Sequence, residues 1–176
     1  VPWLPADWKG WETAEPAGAF PHLEALRAIL SRLADRESTS LAWLAGSPVP
    51  VLPEGRFDGV FRARLDARGL ASLRRRFDVV VVLDSPVAPA RLAPRATFDR
   101  LRRSLVEGGV LVGSFAARPR RGTPFVLGRE AATLAFHEVE LQYRLHCCGF
   151  QGQRIRRVSA AAGDVLLCMA VRRALN

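Results

Sequence analysis

Long apolar runs are missing from this chain of 176 residues. None approaches the roughly 20 residues that a helix needs to cross a bilayer, so a membrane-spanning helix is excluded and no membrane partner is expected. The start, Val1-Pro2-Trp3-Leu4-Pro5, lacks the charged and apolar regions of a signal peptide and carries no initiator Met, which suggests a processed protein or a segment of a longer one. Cysteine is scarce. Cys147 and Cys148 are adjacent and Cys168 stands alone, so the three form neither a disulfide framework nor a paired zinc spacing. A reducing, intracellular compartment, cytoplasm or organelle matrix, and no metal centre follow from that usage. Lysine is almost absent too: Lys9 is the only one among 26 basic residues, which points to a bias that raises arginine everywhere.

What the chain does have is apolar material, 49% of its residues, enough for the core of one domain. The run Phe77–Leu83 is short, rich in Val and ends at Asp84 and Ser85, as a parallel strand buried on both faces would. A second such run, Val110–Phe115, follows an amphipathic segment in which Phe98, Leu101 and Leu105 share a helix face. Leu23, Leu26, Ile29, Leu30 and Leu33 give another helix, while Ser40–Leu44 and Gly59–Leu65 suit strands and residues 70–75 a helical turn. Pro86, Pro89 and Pro94 mark a loop after Asp84, and residues 116–128 read as a basic loop or lid. A helix is expected over 130–148, with residues 133–136 as an interruption and a stop at Gly149. The final runs, 153–158 and 164–171, are joined too briefly for a parallel crossover and must form an antiparallel pair. The expected fold is therefore α/β: a Rossmann-like, mostly parallel sheet flanked by helices and closed by an antiparallel strand pair. In such sheets ligands bind beyond the carboxyl ends of the strands, which makes Asp84 and Ser85 the first candidates for chemistry.

Residues 1–20 hold Trp3, Trp8 and Trp11 among several prolines and read as an irregular leader, suited to packing on the domain or on a protein partner; residues 21–176 form the domain. The net charge of +9 is concentrated after residue 60, in clusters at Arg74–Arg76, Arg102–Arg103, Arg118–Arg121, Arg154–Arg157 and Arg172–Arg173. A surface of that kind attracts phosphate, so RNA or a ribonucleoprotein is the expected polyanionic partner.

Several local patterns resemble the class I S-adenosylmethionine-dependent methyltransferases. Phe77–Val82 resembles that family's fourth strand, Leu105–Val112 its Gly-Gly turn and fifth strand, residues 140–150 its late helix and Gly-Phe turn, and residues 156–171 its closing hairpin. The resemblance spans about residues 20–175 and implies S-adenosylmethionine as cofactor. It places the remnant of the first cofactor loop at residues 12–18, with Glu12 and Gly18 matching and with Ala14 and Pro16 where glycines are expected. It gives Asp66 and Ala67 to the adenine edge after the third strand, sets Asp84 and Ser85 in the cofactor crevice, and makes Asp84 the catalytic residue that orients the acceptor. The end of the second strand, Leu44–Ser47, lacks the acidic residue that grips the ribose. Residues 84–90 also resemble the aspartate region of spermidine-synthase-like aminopropyltransferases, without its second aspartate. Two functions stay open: methyl transfer to an acceptor the sequence does not identify, or a catalytically silent methyltransferase-like module in an assembly that includes RNA.

Overall fold

A computed structural model describes residues 26, 28–31, 33, 39–46, 57–120, 132–159 and 163–174. Glu12, Gly18, the Trp-rich leader and most of the expected basic lid lie outside the described residues.

Residues 26, 28–31 and 33 are helical (α1) and precede β1 (Ser40–Ala45), β2 (Gly59–Arg64) and a short helix α2 (Ala67–Ser72). Then come β3 (Phe77–Leu83), α3 (Pro94–Arg103), β4 (Leu105–Ala117), β5 (Ala135–Phe136), α4 (Glu138–Cys147), β6 (Phe150–Val158) and β7 (Val165–Arg172). The strand order is β2-β1-β3-β4-β7-β6, with β5 alongside the end of β4. Strands β2, β1, β3 and β4 run parallel; β7 runs antiparallel to both β4 and β6. The expected α/β fold with its antiparallel closing pair is what the chain adopts. No helix among the described residues is long and apolar enough to cross a membrane.

The valine run of β3 is buried on both faces because alternate side chains feed two cores. Val80 and Val82 pack with Leu111, Phe115 and the helix residues Phe98, Leu101 and Leu141 on one side. Val79 and Val81 pack on the other with Val110, Val112 and Leu26, Ile29, Leu30 and Leu33 of α1. Phe98, Phe115 and Phe136 form a triangle of rings with centroids 5.6–5.8 Å apart, two of the three contacts edge-on.

Several boundaries differ from those the sequence suggests, among them the start of β6, at Phe150 rather than at 153. The helical turn expected at 70–75 lies earlier, at Ala67–Ser72, because Asp66 caps it: its Oδ1 accepts from Gly69 N at 2.7 Å. Pro94 belongs to the first turn of α3 rather than to the loop, a position where its missing N–H has no intrahelical partner to lose. Leu105 begins β4 instead of extending α3; it pairs with Phe77, and the strand runs on through Gly108, at φ +72, with a register shift, to Ala117. The helix expected from 130 is confined to Glu138–Cys147, since Ala135 and Phe136 pair with Ala116 and Ala117 as a strand at the anticipated interruption.

A side chain also ties two helices together. Arg100 of α3 donates from Nε to Leu70 O (2.9 Å) and from Nη2 to Ala71 O (3.0 Å) and Leu73 O (2.9 Å), which satisfies the carbonyls left open at the end of α2. That clamp fixes α2, and with it Asp66, relative to α3.

Candidate functional site

Strand order decides where a ligand crevice opens. From β1 the chain moves outward to β2, returns across β1 to β3, and then continues the other way to β4. The reversal, and hence the crevice, falls between the carboxyl ends of β1 and β3. Ala45 and Leu83 are register partners there, and Gly46 N donates to Leu83 O at 2.9 Å. A Cβ at Gly46 would stand 3.6 Å from Asp84 Oδ1 and 3.7 Å from Ser85 N, so a bare backbone runs directly beside the carboxylate.

Asp84 is 8% exposed. Its Oδ1 accepts from Ser85 N (2.9 Å) and Ala90 N (3.0 Å), its Oδ2 accepts from Ala90 N (3.1 Å), and its own N–H donates to Ser114 O (2.8 Å). The carboxylate thus closes the loop 85–90, while Ser85 Oγ accepts from Ala88 N at 3.2 Å inside it. Burial pushes the Asp84 carboxyl up to about 6, against the pull of the Ala90 and Ser85 amides. A carboxyl with that value changes its protonation state close to neutral pH, a property compatible with a general base.

Asp66 and Ala67 follow β2, on the other side of β1. Arg64, Ala45 and Leu83 lie in one row across the three strands, so Asp66 and Asp84 stand on one edge, about 10 Å apart at two strand spacings. The second oxygen of Asp66 has Arg64 Nε 3.8 Å away. The fold therefore brings four of the six candidates, Asp66, Ala67, Asp84 and Ser85, to one edge; the other two, Glu12 and Gly18, are outside the described residues.

Two residues at this edge are not evident from local sequence pattern. Assigning residues 44–47 to the end of the family's second strand hides Gly46, whereas β1 hydrogen-bonds β3 directly and its loop is the one at the reversal point. The spacing holds the clue: Asp66 lies 20 residues after Gly46, the interval at which an acidic residue meets a ribose in dinucleotide sites. Ser114 lies within the buried part of β4 beside Asp84, 1% exposed, and its Oγ has no hydrogen-bond partner. Its one signal is a lone hydroxyl inside an apolar run.

Beside the crevice, α4 and the closing strands carry an ion network. Arg157, its side chain 8% exposed, donates to Glu138 Oε1 (2.7 Å) and Oε2 (2.8 Å), to Asp164 Oδ2 (3.2 Å) and to Arg118 O (2.9 Å). The buried Glu140 accepts from Arg144 Nε at 3.0 Å and has Arg118 Nη1 at 3.5 Å. The Arg157 hydrogen bonds hold Glu138 down to about 2. Removing this hub with Arg157→Ala should cost about 2 kcal/mol at pH 7, since several charge-assisted bonds go at once. Glu138's share is present above its unfolded value of 4.5 and vanishes as pH falls through about 2, so wild type and variant should converge over that interval in urea titrations.

The cysteines take no part. Cys147 is exposed on α4, while burial lifts Cys148 to about 11 and Cys168 to about 12, leaving both as thiols. His137 stands at the start of α4 without a side-chain capping bond, and Tyr143 is on an exposed face of that helix.

No protein-family model matches the sequence, and no curated protein matches it. Solved structures do resemble it in fold. Magnesium protoporphyrin IX methyltransferase from Synechocystis PCC 6803, with bound SAH, has a TM-score of 0.56 at 15% identity over 94% of this chain and 92% of that one. The N-methyltransferase NodS from Bradyrhizobium japonicum WM9 has a TM-score of 0.52 at 18% identity, over 88% of this chain and 98% of that one. The citrinin polyketide synthase CMeT domain reaches 0.60 at 12% identity, covering 88% of this chain and 53% of that one. The cyclase SpnF reaches 0.55 at 12% identity over 93% of this chain and 86% of that one. The chain has a class I methyltransferase-like fold.

Proposed function

We propose that this domain binds S-adenosylmethionine across the ends of β1 and β3 and transfers its methyl group to an acceptor oriented by Asp84. The observation that carries this reading is the placement of a buried carboxylate, a bare glycine backbone and a second carboxylate at the reversal point between β1 and β3. Gly46 lets a ligand lie against the backbone, where a side chain would intrude on the crevice. Asp66 offers Oδ2 toward a ribose while Oδ1 stays committed to Gly69 N. When bound, the cofactor supplies a methyl carbon on a positively charged sulfur. Asp84, held rigidly by Ser85 and Ala90, presents an oxygen that accepts the hydrogen of an incoming nucleophile and fixes its line of approach. Support also comes from the magnesium protoporphyrin IX methyltransferase, solved with SAM as well as with SAH.

A second reading, a catalytically silent module, has its own support. Both Asp84 oxygens already accept from amides of their own loop, which gives the residue a purely architectural use. The likeness to a cyclase adds that this fold is compatible with other chemistry.

Isothermal titration of the protein with S-adenosylmethionine and S-adenosylhomocysteine separates the two. Micromolar binding of both is expected, weakened about tenfold by Asp66→Ala through the loss of a charge-assisted hydrogen bond. No heat of binding to protein with an intact circular dichroism spectrum would reject the enzymatic reading and leave the silent one.

A further inference from the structure

Three of the arginine clusters, far apart in sequence, meet at the edge of the sheet opposite the crevice. Arg74, Arg75 and Arg76 lead into the amino end of β3; Arg102 and Arg103 close α3 just before β4; Arg172 and Arg173 end the antiparallel β7. Since β7 runs against β4, its carboxyl end lies beside the amino end of β4, and all seven residues share one side of the molecule. The carboxylates on or near that side among the described residues are Asp58, Asp78, Glu107 and Asp99, the last about one turn before Arg102 and Arg103 on α3. Asp78 is committed inward, accepting from Ser40 N (2.9 Å) and Ser40 Oγ (2.6 Å).

Among the described residues, ion pairing is frequent at one edge and missing at the other. Around the crevice, Arg64, Arg118, Arg120 and Arg157 lie within ion-pair distance of a carboxylate, while Arg68 and Arg91 do not. None of the seven at the far edge does so among the described residues.

Crowding at the far edge adds to the contrast. Arg172 is 5% exposed, donates from Nη1 to Leu105 O and leaves Nε without a partner. Burial and the neighbouring charges of Arg76 and Arg102 lower its proton affinity, with Glu107 alone opposing them. Arg102 is held against Gly149, where a Cβ would come within 3.2 Å of its Cδ. Arg75 lies over the Phe77 ring, its Cζ 4.9 Å from the centroid, and spreads toward Gly59. Arg172 is thus held by a hydrogen bond and Arg102 and Arg75 by packing, which lowers the ordering cost of binding an anion beside them.

We infer that this edge is a binding surface for the phosphodiester backbone of a nucleic acid, centred on Arg76, Arg102 and Arg103 and separate from the crevice. Evenly repeated phosphates match a row of guanidiniums without carboxylate partners that no single small anion would satisfy, and the reading stands whether or not the crevice holds a cofactor.

The test uses the full chain with fluorescent single-stranded RNA and DNA of about 20 nucleotides, titrated at several salt concentrations from about 50 mM upward. Binding to at least one of them is expected, with an affinity that falls steeply as salt rises. Arg76→Gln with Arg103→Gln should weaken it about tenfold and flatten the slope of log affinity against log salt by about 1.4. Arg68→Gln with Arg91→Gln, exposed arginines of the opposite edge, should leave both quantities unchanged. Thermal melts by circular dichroism establish that both variants fold. Absence of binding at the lowest salt, equal losses in the two double variants, or binding to anionic phospholipid vesicles with none to either nucleic acid would each overturn the inference.

Discussion

Asparagine in place of Asp84 should make the folded protein more stable at pH 8, by about 2 kcal/mol, while abolishing methyl transfer. The stabilisation comes from the direction of the pKa shift. In the unfolded chain this carboxyl releases its proton near 3.8; in the folded one it holds it to about 6. Between those values the native state binds more protons, so its contribution is complete below 3.8 and is lost as pH rises through 6. A difference of that size corresponds to about 3 kcal/mol once the group is ionised. An asparagine stays neutral, and its Oδ1 still accepts from Ser85 and Ala90, so it escapes most of that loss. Urea denaturation of wild type and Asp84→Asn from pH 4 to pH 8 measures it: the gap should open progressively in favour of the variant between pH 4 and pH 6. A variant less stable than wild type at pH 8 would mean that the loop-closing role of the carboxylate outweighs its burial, and the case for a functional carboxylate would fall with it.

That sign also separates the two functional readings. If Asp84 served only to close its loop, the neutral amide would do the same work at lower cost, and so would many small polar residues. A carboxylate placed where ionisation weakens the fold, at the reversal point of the sheet, fits a group used for its charge. Ser114 has the same character on a smaller scale, since an unpartnered buried hydroxyl costs about 1–3 kcal/mol and an alanine there would avoid it.

Much of this arrangement is legible in the residues themselves. Phe77–Leu83 declares a strand buried on both sides because its composition and length leave no other use for it, and Asp84 falls at its carboxyl end for the same reason. The closing pair is forced by a connection too short for a crossover. What local pattern does not carry is neighbourhood. Nothing within Ser40–Ala45 states that it pairs with β3, yet that pairing sets Gly46 at the reversal point. Two residues of β5 are too few to show periodicity, and they form a strand only because the end of β4 extends beyond Ser114 to receive them. Leu105 fits the apolar face of α3 by spacing alone; its register partner Phe77 claims it for the sheet. The arginine clusters are visible as clusters, but their convergence depends on the antiparallel insertion of β7.

Gly69→Ala should be the most damaging single methyl in the described chain. A Cβ at Gly69 would lie 1.8 Å from the carbonyl oxygen of Arg64 and 2.9 Å from its carbon, both backbone atoms that cannot swing aside as a side chain would. Relief requires α2 to move off the end of β2. That movement pulls Gly69 N away from Asp66 Oδ1, opens the Leu70 N to Asp66 O bond of 2.9 Å and drags the α2 carbonyls from Arg100. The expected loss is about 3 kcal/mol, at the upper end for overpacking, because the obstruction is backbone and a cap fails with it. Gly152→Ala is the matched comparison: it too meets strain, at φ +60, but nothing lies within 4 Å of the added carbon, so about 1 kcal/mol is expected. Urea midpoints for the two variants test this. Because Asp66 is displaced, Gly69→Ala should also weaken S-adenosylmethionine binding at temperatures where the variant remains folded, whereas Gly152→Ala should leave the titration unchanged. Equal stabilities for the two variants would show that α2 adjusts freely over β2, and then Asp66 would not be held firmly enough at the crevice to select a ribose.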